Sequence, residues 1–483
     1  MKKLMTLVLA IALLFGSAAL ADANEIEVLE SCGVVLPSAE NDTILQALES
    51  ALGIELVMNT ANSGDDYRNM LNVRIAGNDL PDVMWIQTRS DLVTYVNEGV
   101  LLDLTPYLER LTEVTDFLGE ENMMAGYVDG RLYAIAKAPN IPYFTYWIRK
   151  DWLENLNLDM PTTVEEYDAV LEAFVNDDPD GNGIADTQGV TSPNGGWAAM
   201  QAIFGGYGIG VPNEIYMKNG ALINSLYEEA MPQALADCRR WIEKGLVDTE
   251  AFTVTDGNLL REKCFQGGVG VLYDGWVTLN SYRDAIAAVN PEAQWVQVGP
   301  LQGSVAALDG SHAYYTSGLL AFSADLQNDP EKLENIIRLF NFVSSEEGNR
   351  IVSYGIEGRH YNIVDGKIVA TDLMASEGGY FWAYQFTGRP ETEYLSVKFP
   401  LMQEAIENAA QRERIQSLGA FVVTPSNVNM TDINRFVEQE TVKFAFGQRD
   451  LVEYSAFLEE LDGEFQYQVY LEDAAAQLNA MGF

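Results

Sequence analysis

The chain of 483 residues is too long for one ordinary hydrophobic core and has the length expected of two large lobes. Hydrophobic residues make up 48% of it and charged residues 21%, a composition that is typical of folded globular proteins and excludes a disordered chain. The 71 acidic residues outnumber the 29 basic ones and give a formal net charge of −42, which argues against a nucleic-acid partner and against an anionic membrane surface, because both require Lys and Arg.

Residues 1–21 have the pattern of a secretory signal peptide. Lys2-Lys3 forms a positive region, residues 4–15 are an apolar stretch too short for a comfortable membrane span, and Ala19-Leu20-Ala21 is a small-x-small cleavage site. We therefore expect the mature protein to be secreted to the extracellular or periplasmic side, with no membrane insertion.

The three cysteines, Cys32, Cys238 and Cys264, are too few for a disulfide framework. Cys32 lies well past the apolar stretch, whereas a lipoprotein signal places its cysteine directly after that stretch, so no lipid anchor is expected. Cys238 and Cys264 both lie in half-apolar, helical patterns. Buried free thiols are favoured there, although pairing of these two stays open.

Strand and helix patterns alternate from residue 25 to residue 86. Strands are predicted at 25–29, 54–58 and 83–86, and the two helices between them begin at Asp42 and Asp65. This βαβαβ order indicates a parallel sheet, whose ligands bind beyond the carboxyl ends of the strands. Asn59 and Gln87 follow predicted strands and are therefore candidates for hydrogen bonds to a ligand.

Residues 143–150 read as a further strand, rich in aromatic and β-branched side chains. Two interpretations stay open: a core strand filled with aromatic rings, or a crossing between two lobes that contributes Tyr143 to a cleft. A second alternating run follows it, with a capping box at Thr162–Glu166, a strand at 314–322 and a helix at 330–343. Hairpins are predicted at Asp129-Gly130 and Asp365-Gly366, and the chain from 378 onwards is mostly helical, with caps at Thr431-Asp432 and Asp462.

The segment from residue 178 to residue 189 has the oxygen spacing of an EF-hand loop, which wraps carboxylate, amide and carbonyl oxygens around a hard cation. It departs from that pattern at position 12, where Gly189 replaces the bidentate glutamate, so the remaining ligands must be water or another side chain such as Glu172. An Asp/Asn/Gly-rich turn is the alternative. The predicted ligands of a structural Ca²⁺ are Asp178, Asp180, Asn182, the carbonyl of Ile184, and Asp186.

Large aromatic side chains stand in predicted loops and at strand ends beside glycine, a placement that suits stacking on sugar rings. Core packing is the alternative for each one taken singly. The candidates for stacking are Trp276, Trp197, Tyr143 and Trp382, and those for hydrogen bonds are Gln87, Asn59 and Arg359.

The sequence gives little support for catalysis. His312 and His360 have no metal-ligand spacing, and no G-x-S-x-G motif is present. The glycines of residues 267–276 lie within a predicted strand without a following phosphate-binding helix, which argues against a nucleotide site. Acidic pairs are too abundant for any one of them to indicate a glycosidase, so no enzyme activity is expected.

These features together resemble the extracellular solute-binding proteins of carbohydrate ABC importers, the large type that includes alginate-binding and lipoprotein-like members. The resemblance covers nearly the whole chain. Its markers, in order, are the signal peptide, Ala76-Gly-Asn-Asp-Leu-Pro-Asp-Val83, Arg149-Lys-Asp-Trp-Leu153, the loop from Asp178 to Asp186, Gly270 to Trp276, and Tyr354-Gly-Ile-Glu-Gly-Arg-His-Tyr361.

The resemblance implies an α/β fold of the two-lobed, type II periplasmic-binding-protein-like kind, each lobe a mostly parallel sheet flanked by helices, with a helical C-terminal portion. One lobe would comprise 24–140 plus 314–375, and the other 141–313 plus 376–483. The family's calcium loop maps onto Asp178–Asp186, and Trp276 would face the sugar. Many relatives carry a lipidation cysteine that is missing here.

The expected function is capture of an oligosaccharide between the lobes for delivery to the membrane permease of an ABC importer, by a protein acting as a monomer. Two alternatives stay open. One is a secreted, calcium-containing enzyme that degrades polysaccharide; the other is a member of the same fold that binds a peptide or another small solute.

Overall fold

A computed structural model of the protein describes residues 23–61, 64–139, 144–305 and 318–483. The predictions for the signal peptide, Tyr143 and His312 concern residues outside these ranges. Among the described residues, no helix is both long enough and apolar enough to cross a membrane.

Short strands and many helices make up the described chain. The strands are β1 Glu25–Ser31, β2 Glu55–Ala61, β3 Val83–Ile86, β4 Tyr127–Val128, β5 Arg131–Leu132, β6 Ala134–Ala136, β7 Phe144–Arg149, β8 Gln188–Thr191, β9 Ile215–Lys218, β10 Ala221–Asn224, β11 Val269–Gly275, β12 Trp295–Gln297, β13 Leu319–Phe322, β14 Tyr361–Val364 and β15 Lys367–Ala370. The α-helices are Thr43–Leu52, Gly64–Gly77, Arg89–Asn97, Thr112–Met123, Lys150–Asn155, Val164–Asn176, Gly196–Ala199, Gln201–Gly206, Met231–Glu243, Gly257–Phe265, Thr278–Ser281, Arg283–Val289, Pro330–Ser344, Glu346–Tyr354, Asp372–Glu377, Glu391–Lys398, Gln403–Gln411, Met430–Ala445, Tyr454–Phe465 and Tyr467–Met481, with 3₁₀ turns that include Gly378–Tyr384.

The chain divides into two compact units. The first unit contains the described residues up to Gln87 together with Thr94–Ile135 and Leu319–Thr387. Its sheet has the order β2-β1-β3-β13-β6, in which β1 is parallel to β2 and β3, and β13 is antiparallel to β3. This confirms the α/β fold and the βαβαβ start that the sequence predicts.

Local capping explains where the first helix of this unit lies. The Asp42 side chain accepts hydrogen bonds from the backbone N–H groups of Ile44 and Leu45, and the helix ends at Gly53, whose φ of 67° is left-handed. Ile44, Leu45 and Leu48 form its buried face. The Tyr384 hydroxyl also donates to Asp42 at 2.6 Å, so the cap is tied to a segment far along the chain.

The second unit contains Thr88–Val93, Ala136–Gly318 and Gly388–Phe483. Its sheet has the order β12-β7-β11-β8, and only the pair β11 and β8 is parallel among the described strands. The prediction of a mostly parallel sheet is therefore wrong for this unit. The two helices Lys150–Asn155 and Val164–Asn176 lie between β7 and β8, and an even number of helices brings the chain back in the opposite direction.

Several local predictions are confirmed and two are wrong. Thr163 caps its helix by accepting from the N–H of Glu166, as the capping box requires. The N-cap of the helix Met430–Ala445 is Asn429, not Thr431-Asp432, and Asp462 lies inside the helix Tyr454–Phe465. The hairpins at Asp129-Gly130 and Asp365-Gly366 are confirmed, and the three cysteines are buried without forming disulfides in the described chain.

Candidate functional site

Aromatic rings gather in the second unit at one edge of its sheet. The parallel strands β8 and β11 end beside each other there, Trp276 directly follows β11, and Phe144 pairs with Gly275 across the sheet. The Phe144 and Tyr273 rings are stacked with centroids 6.0 Å apart, and Trp276 meets Phe399 edge-on at 5.4 Å. We call Phe144, Tyr273, Trp276 and Phe399 the aromatic face.

The position of Trp276 is fixed through the backbone of Gly275. The Trp147 indole N–H donates to the Gly275 carbonyl at 3.1 Å, and the Gly275 N–H donates to Asp274 Oδ1 at 2.7 Å. The buried Asp274 carboxylate accepts two bonds from Arg261, of 2.6 and 3.1 Å, and this pairing raises the pKa of Arg261. The backbone that leads into Trp276 is therefore fixed at the end of its strand.

Trp276 itself is only 2% exposed, so Phe399 and its other neighbours already cover most of the ring. Its indole N–H is buried and has no hydrogen-bond partner within the described ranges. A buried donor without a partner is costly, which makes this N–H the polar group of the aromatic face with most to gain from a ligand acceptor.

Trp197 follows β8 and lies at the same end of the sheet. Its half-buried ring meets Phe204 and Phe252 edge-on at 5.9 and 5.2 Å, and its indole N–H donates to Glu438 at 2.9 Å. The N–H is thus engaged within the protein, and stacking is the interaction that Trp197 can still offer.

Arg412 lies beside the aromatic face although the sequence did not single it out. It follows the helix Gln403–Gln411, donates from Nη1 to the Phe144 carbonyl at 3.1 Å, and lies over the Tyr146 ring at 5.6 Å from its centroid. A lone arginine after a surface helix carries no sequence signal of this contact, which joins residues 268 positions apart.

The predicted hydrogen-bonding residues of the first unit each have a partner within that unit. Asn59 donates to Glu27 Oε1 at 2.8 Å, Gln87 donates to the Gly64 carbonyl at 2.5 Å, and Arg359 forms a bidentate ion pair with Glu377 at 2.9 and 3.0 Å. Only Gln87 directly follows the carboxyl end of a strand, β3, whereas Asn59 lies within β2.

Trp382 lies half-buried in the 3₁₀ turn Gly378–Tyr384 of the first unit. Tyr380 in the same turn bonds through its hydroxyl to the Thr43 N–H at 3.1 Å. Glu377 immediately precedes this turn, and the hydrogen bond from Arg359 lowers the pKa of its carboxyl group. Arg359 thus bonds to the residue just before the turn that carries Trp382, and contact of either side chain with a ligand remains a prediction.

The predicted calcium loop is closed by its own hydrogen bonds. The Gly183 N–H donates to Asp178 Oδ2 at 3.0 Å, the Ile184 N–H donates to Asn182 Oδ1 at 2.7 Å, and the Asn182 amide donates to Asp180 Oδ2 at 2.8 Å. Asp178 has a left-handed φ of 51°. The loop therefore folds back on itself through its own side chains.

These residues fit a hard cation by their chemistry. The donor set is all oxygen, and Asp178 Oδ1 is buried with no hydrogen-bond partner in the described chain. No cluster of three or more Asp, Glu, His or Cys side chains drawn together as a metal site is found in the described ranges. Glu172 bonds with Lys244 and lies 3.6 Å from Arg240, so it is engaged away from the loop.

Two α/β units, one with an aromatic face at the strand ends, define a protein of the periplasmic-binding-protein-like class. A sequence model of the family "Bacterial extracellular solute-binding protein" matches residues 43–325, more than half of the chain. The chain belongs to this family.

Known proteins are similar to it over most of its length. Lipoprotein LipO of Bacillus subtilis (strain 168) is 25% identical over 84% of this chain and 83% of its own length. Polygalacturonan/rhamnogalacturonan-binding protein YtcQ of the same organism is 26% identical over 60% of this chain and 58% of its own length.

Solved structures show the same fold at lower identity. An HMO-binding, ABC-transporter-associated solute-binding protein from Bifidobacterium longum infantis ATCC 15697 has a TM-score of 0.74 at 19% identity, covering 94% of this chain and 98% of that one. The alginate-binding protein AlgQ2, solved without calcium ion, has a TM-score of 0.64 at 17% identity with the same coverage.

Proposed function

We propose that this protein captures an oligosaccharide between its two lobes and delivers it unchanged to the membrane permease of an ABC importer. Membership in the extracellular solute-binding family supports a binding role, and YtcQ, a relative, is named for binding a polysaccharide. The lobes would be those predicted from the sequence, and the protein would act as a monomer without enzymatic turnover.

The observation that carries the proposal is the buried indole of Trp276, which lacks a hydrogen-bond partner in the described chain and stands in the aromatic face. A sugar ring presents an apolar C–H face for stacking and hydroxyl oxygens that accept from an N–H. Trp276 would offer both interactions once Phe399 and the other neighbours that cover its ring move aside. Trp197 and Trp382 would add stacking surfaces, and Gln87, Asn59 and Arg359 would add hydrogen bonds after releasing their present partners.

Substitution of Trp276 separates the two interactions. In calorimetry with an oligosaccharide found by thermal-shift screening of a glycan panel, Trp276→Ala should lose about 1–3 kcal/mol of binding free energy, the scale of one buried side chain. Trp276→Phe keeps a ring but loses the N–H, and should lose about 0.5–1.5 kcal/mol.

Phe465→Ala is the matched control, because this ring packs on Phe436 at the end of a C-terminal helix and takes no part in the aromatic face. Its affinity should equal that of the wild type. If the Trp276 variants bind the sugar as tightly as the wild type, the binding site lies elsewhere. If shortened sugar appears over time, the protein is an enzyme.

We further propose that the loop from Asp178 to Asp186 holds a structural Ca²⁺. The first ligand would be Asp178 Oδ1, which has no hydrogen-bond partner in the described chain. The other ligands would be the carboxylates of Asp180 and Asp186, the Asn182 amide oxygen and the Ile184 carbonyl, with water in place of the glutamate that Gly189 replaces. Such an ion would brace the connection between a helix and β8 and would contribute stability.

We propose that the protein is exported, cleaved after Ala21 and released without a lipid anchor. The pattern of residues 1–21 and the late first cysteine, Cys32, support this. The intact mass of the native protein tests it, since a retained Met1 or a diacylglycerol adduct would contradict it.

A further inference from the structure

Arg412 is a charged side chain beside the aromatic face. Its guanidinium is half-buried, donates one hydrogen bond to the Phe144 carbonyl at 3.1 Å, and lies over the Tyr146 ring. Within the described chain, no carboxylate forms an ion pair with it, and these contacts leave its other N–H groups able to donate.

Other arginines of the same unit are compensated where they are partly buried. Arg261 makes two hydrogen bonds to the Asp274 carboxylate, and Arg240 makes two to the Asp168 carboxylate, each at 3.0 Å. Arg239 has no carboxylate partner among the described residues but donates three bonds to the carbonyls of Phe444 and Arg449. Arg412 donates one hydrogen bond within the described chain, the fewest of these four arginines.

The contact with Phe144 directs Arg412 toward the end of β11. Phe144 pairs with Gly275, and Trp276 is the next residue of that strand's chain. The hydrogen bond and the cation–π contact with Tyr146 hold the guanidinium in place. A sugar ring placed on the aromatic face would therefore bring its substituents within the neighbourhood of a preoriented cation.

A guanidinium presents N–H groups in a planar fork that matches a carboxylate in two parallel hydrogen bonds. The net charge of −42 would repel an anion at a distance. However, the Debye length at physiological ionic strength is about 8 Å, so the cation in contact with the ligand outweighs acids spread over the surface.

We propose that Arg412 selects a sugar with a carboxylate, so that the ligand of this protein is a uronate-containing oligosaccharide. This inference rests on the proposed function and specifies its substrate class. The sugar's C–H face would lie on the half-buried rings of the aromatic face, Phe144 and Phe399, and its carboxylate would accept hydrogen bonds from the remaining N–H groups of Arg412.

Matched ligands test the charge without changing the sugar. The probes are trigalacturonate and trimannuronate, each compared with its own fully methyl-esterified form by calorimetry. At least one of the two acids should bind the wild type roughly tenfold or more tightly than its ester, as expected for a charge-assisted bidentate pair. Wild-type protein suffices for this comparison, so it does not depend on the folding of a variant.

Variants then assign the preference to Arg412. Arg412→Gln should lose roughly tenfold or more in affinity for the acid but stay within about threefold of the wild type for the ester, whereas Arg412→Lys should recover part of the loss. Arg435→Gln removes the same charge from an exposed ion pair with Asp432 and should change neither affinity. Melting temperatures confirm that each variant is folded.

The outcomes separate this inference from the function on which it rests. Equal binding of acid and ester, or an acid preference that survives in Arg412→Gln, would overturn the role of Arg412. Binding of neutral glycans that depends on Trp276, with no binding of either uronate, would overturn the uronate inference alone. If no glycan of any kind binds, the proposed function and this inference fail together.

Discussion

Gly189 shows how one residue can depart from a motif for a reason that lies elsewhere in the fold. A Cβ atom at this position would stand 2.2 Å from the Leu246 carbonyl oxygen and 3.3 Å from a methyl group of Leu171. The Val190 N–H donates to the same Leu246 carbonyl at 2.8 Å, and this hydrogen bond holds the two backbone segments close together. The glutamate of an EF-hand therefore has no room at position 12, and the loop ends in a strand instead.

Gly189→Ala should lower the free energy of unfolding by roughly 1–3 kcal/mol, the usual cost of forcing extra volume into a packed interior. Urea denaturation measures it. Gly299→Ala is the control, because a Cβ atom at that position would meet no described atom within 4 Å, and it should leave the midpoint nearly unchanged. Equal midpoints for both variants would show that β8 can move away from Leu246.

The loop from Asp178 to Asp186 is the element in which local sequence has most influence on structure. It joins the helix Val164–Asn176 to β8, and its hydrogen bonds span no more than five residues. Asn155 fastens it from outside by donating to the Pro179 carbonyl at 2.9 Å. Its geometry is therefore set mainly by its own side chains.

Removal of calcium should lower the melting temperature while leaving sugar affinity largely intact, because the proposed ion is structural. An ion that binds only the native state stabilises it by about 2.7 kcal/mol at a hundredfold excess over Kd. Scanning calorimetry with and without a chelator measures the shift.

Asp180→Ala should melt like the chelated wild type and should not respond to chelator. Asp284→Ala removes an exposed acid from the helix Arg283–Val289 and should retain the full response to calcium. A wild-type melting curve that chelator leaves unmoved would reduce the loop to a simple turn.

At the scale of the whole molecule, the chain passes between its two units several times, since each unit contains segments that are separated in sequence. A ligand that contacts both units binds the closed state of such a receptor better than the open state, so binding shifts the receptor toward the closed state. The permease could then distinguish the ligand-bound receptor from the free one by its conformation.

We predict that a bound oligosaccharide reduces the radius of gyration in small-angle X-ray scattering. At a sugar concentration a few times the wild-type Kd, Trp276→Ala should stay close to the value of the free protein, because its affinity is about 1–3 kcal/mol weaker. An unchanged radius at saturating sugar in the wild type would argue for a receptor without closure.

The sequence by itself determined features that depend on neighbours along the chain. The caps at Asp42 and Thr163 and the hairpins at Asp129-Gly130 and Asp365-Gly366 follow from short-range hydrogen bonding and turn geometry. The parallel start of the first sheet could be predicted from the alternation of strand and helix patterns along the chain. The resemblance to solute-binding proteins depended on the order of such features along the chain, and membership in that family was confirmed.

Only the tertiary structure decided what depends on residues far apart. The direction of β7 in its sheet, the partners of Asn59 and Arg359, and the close approach at Gly189 follow from packing that no local pattern encodes. Arg412 is the clearest case. Its charge is visible in the sequence, but its place beside Phe144 arises because folding brings a helix end against a strand 268 residues away.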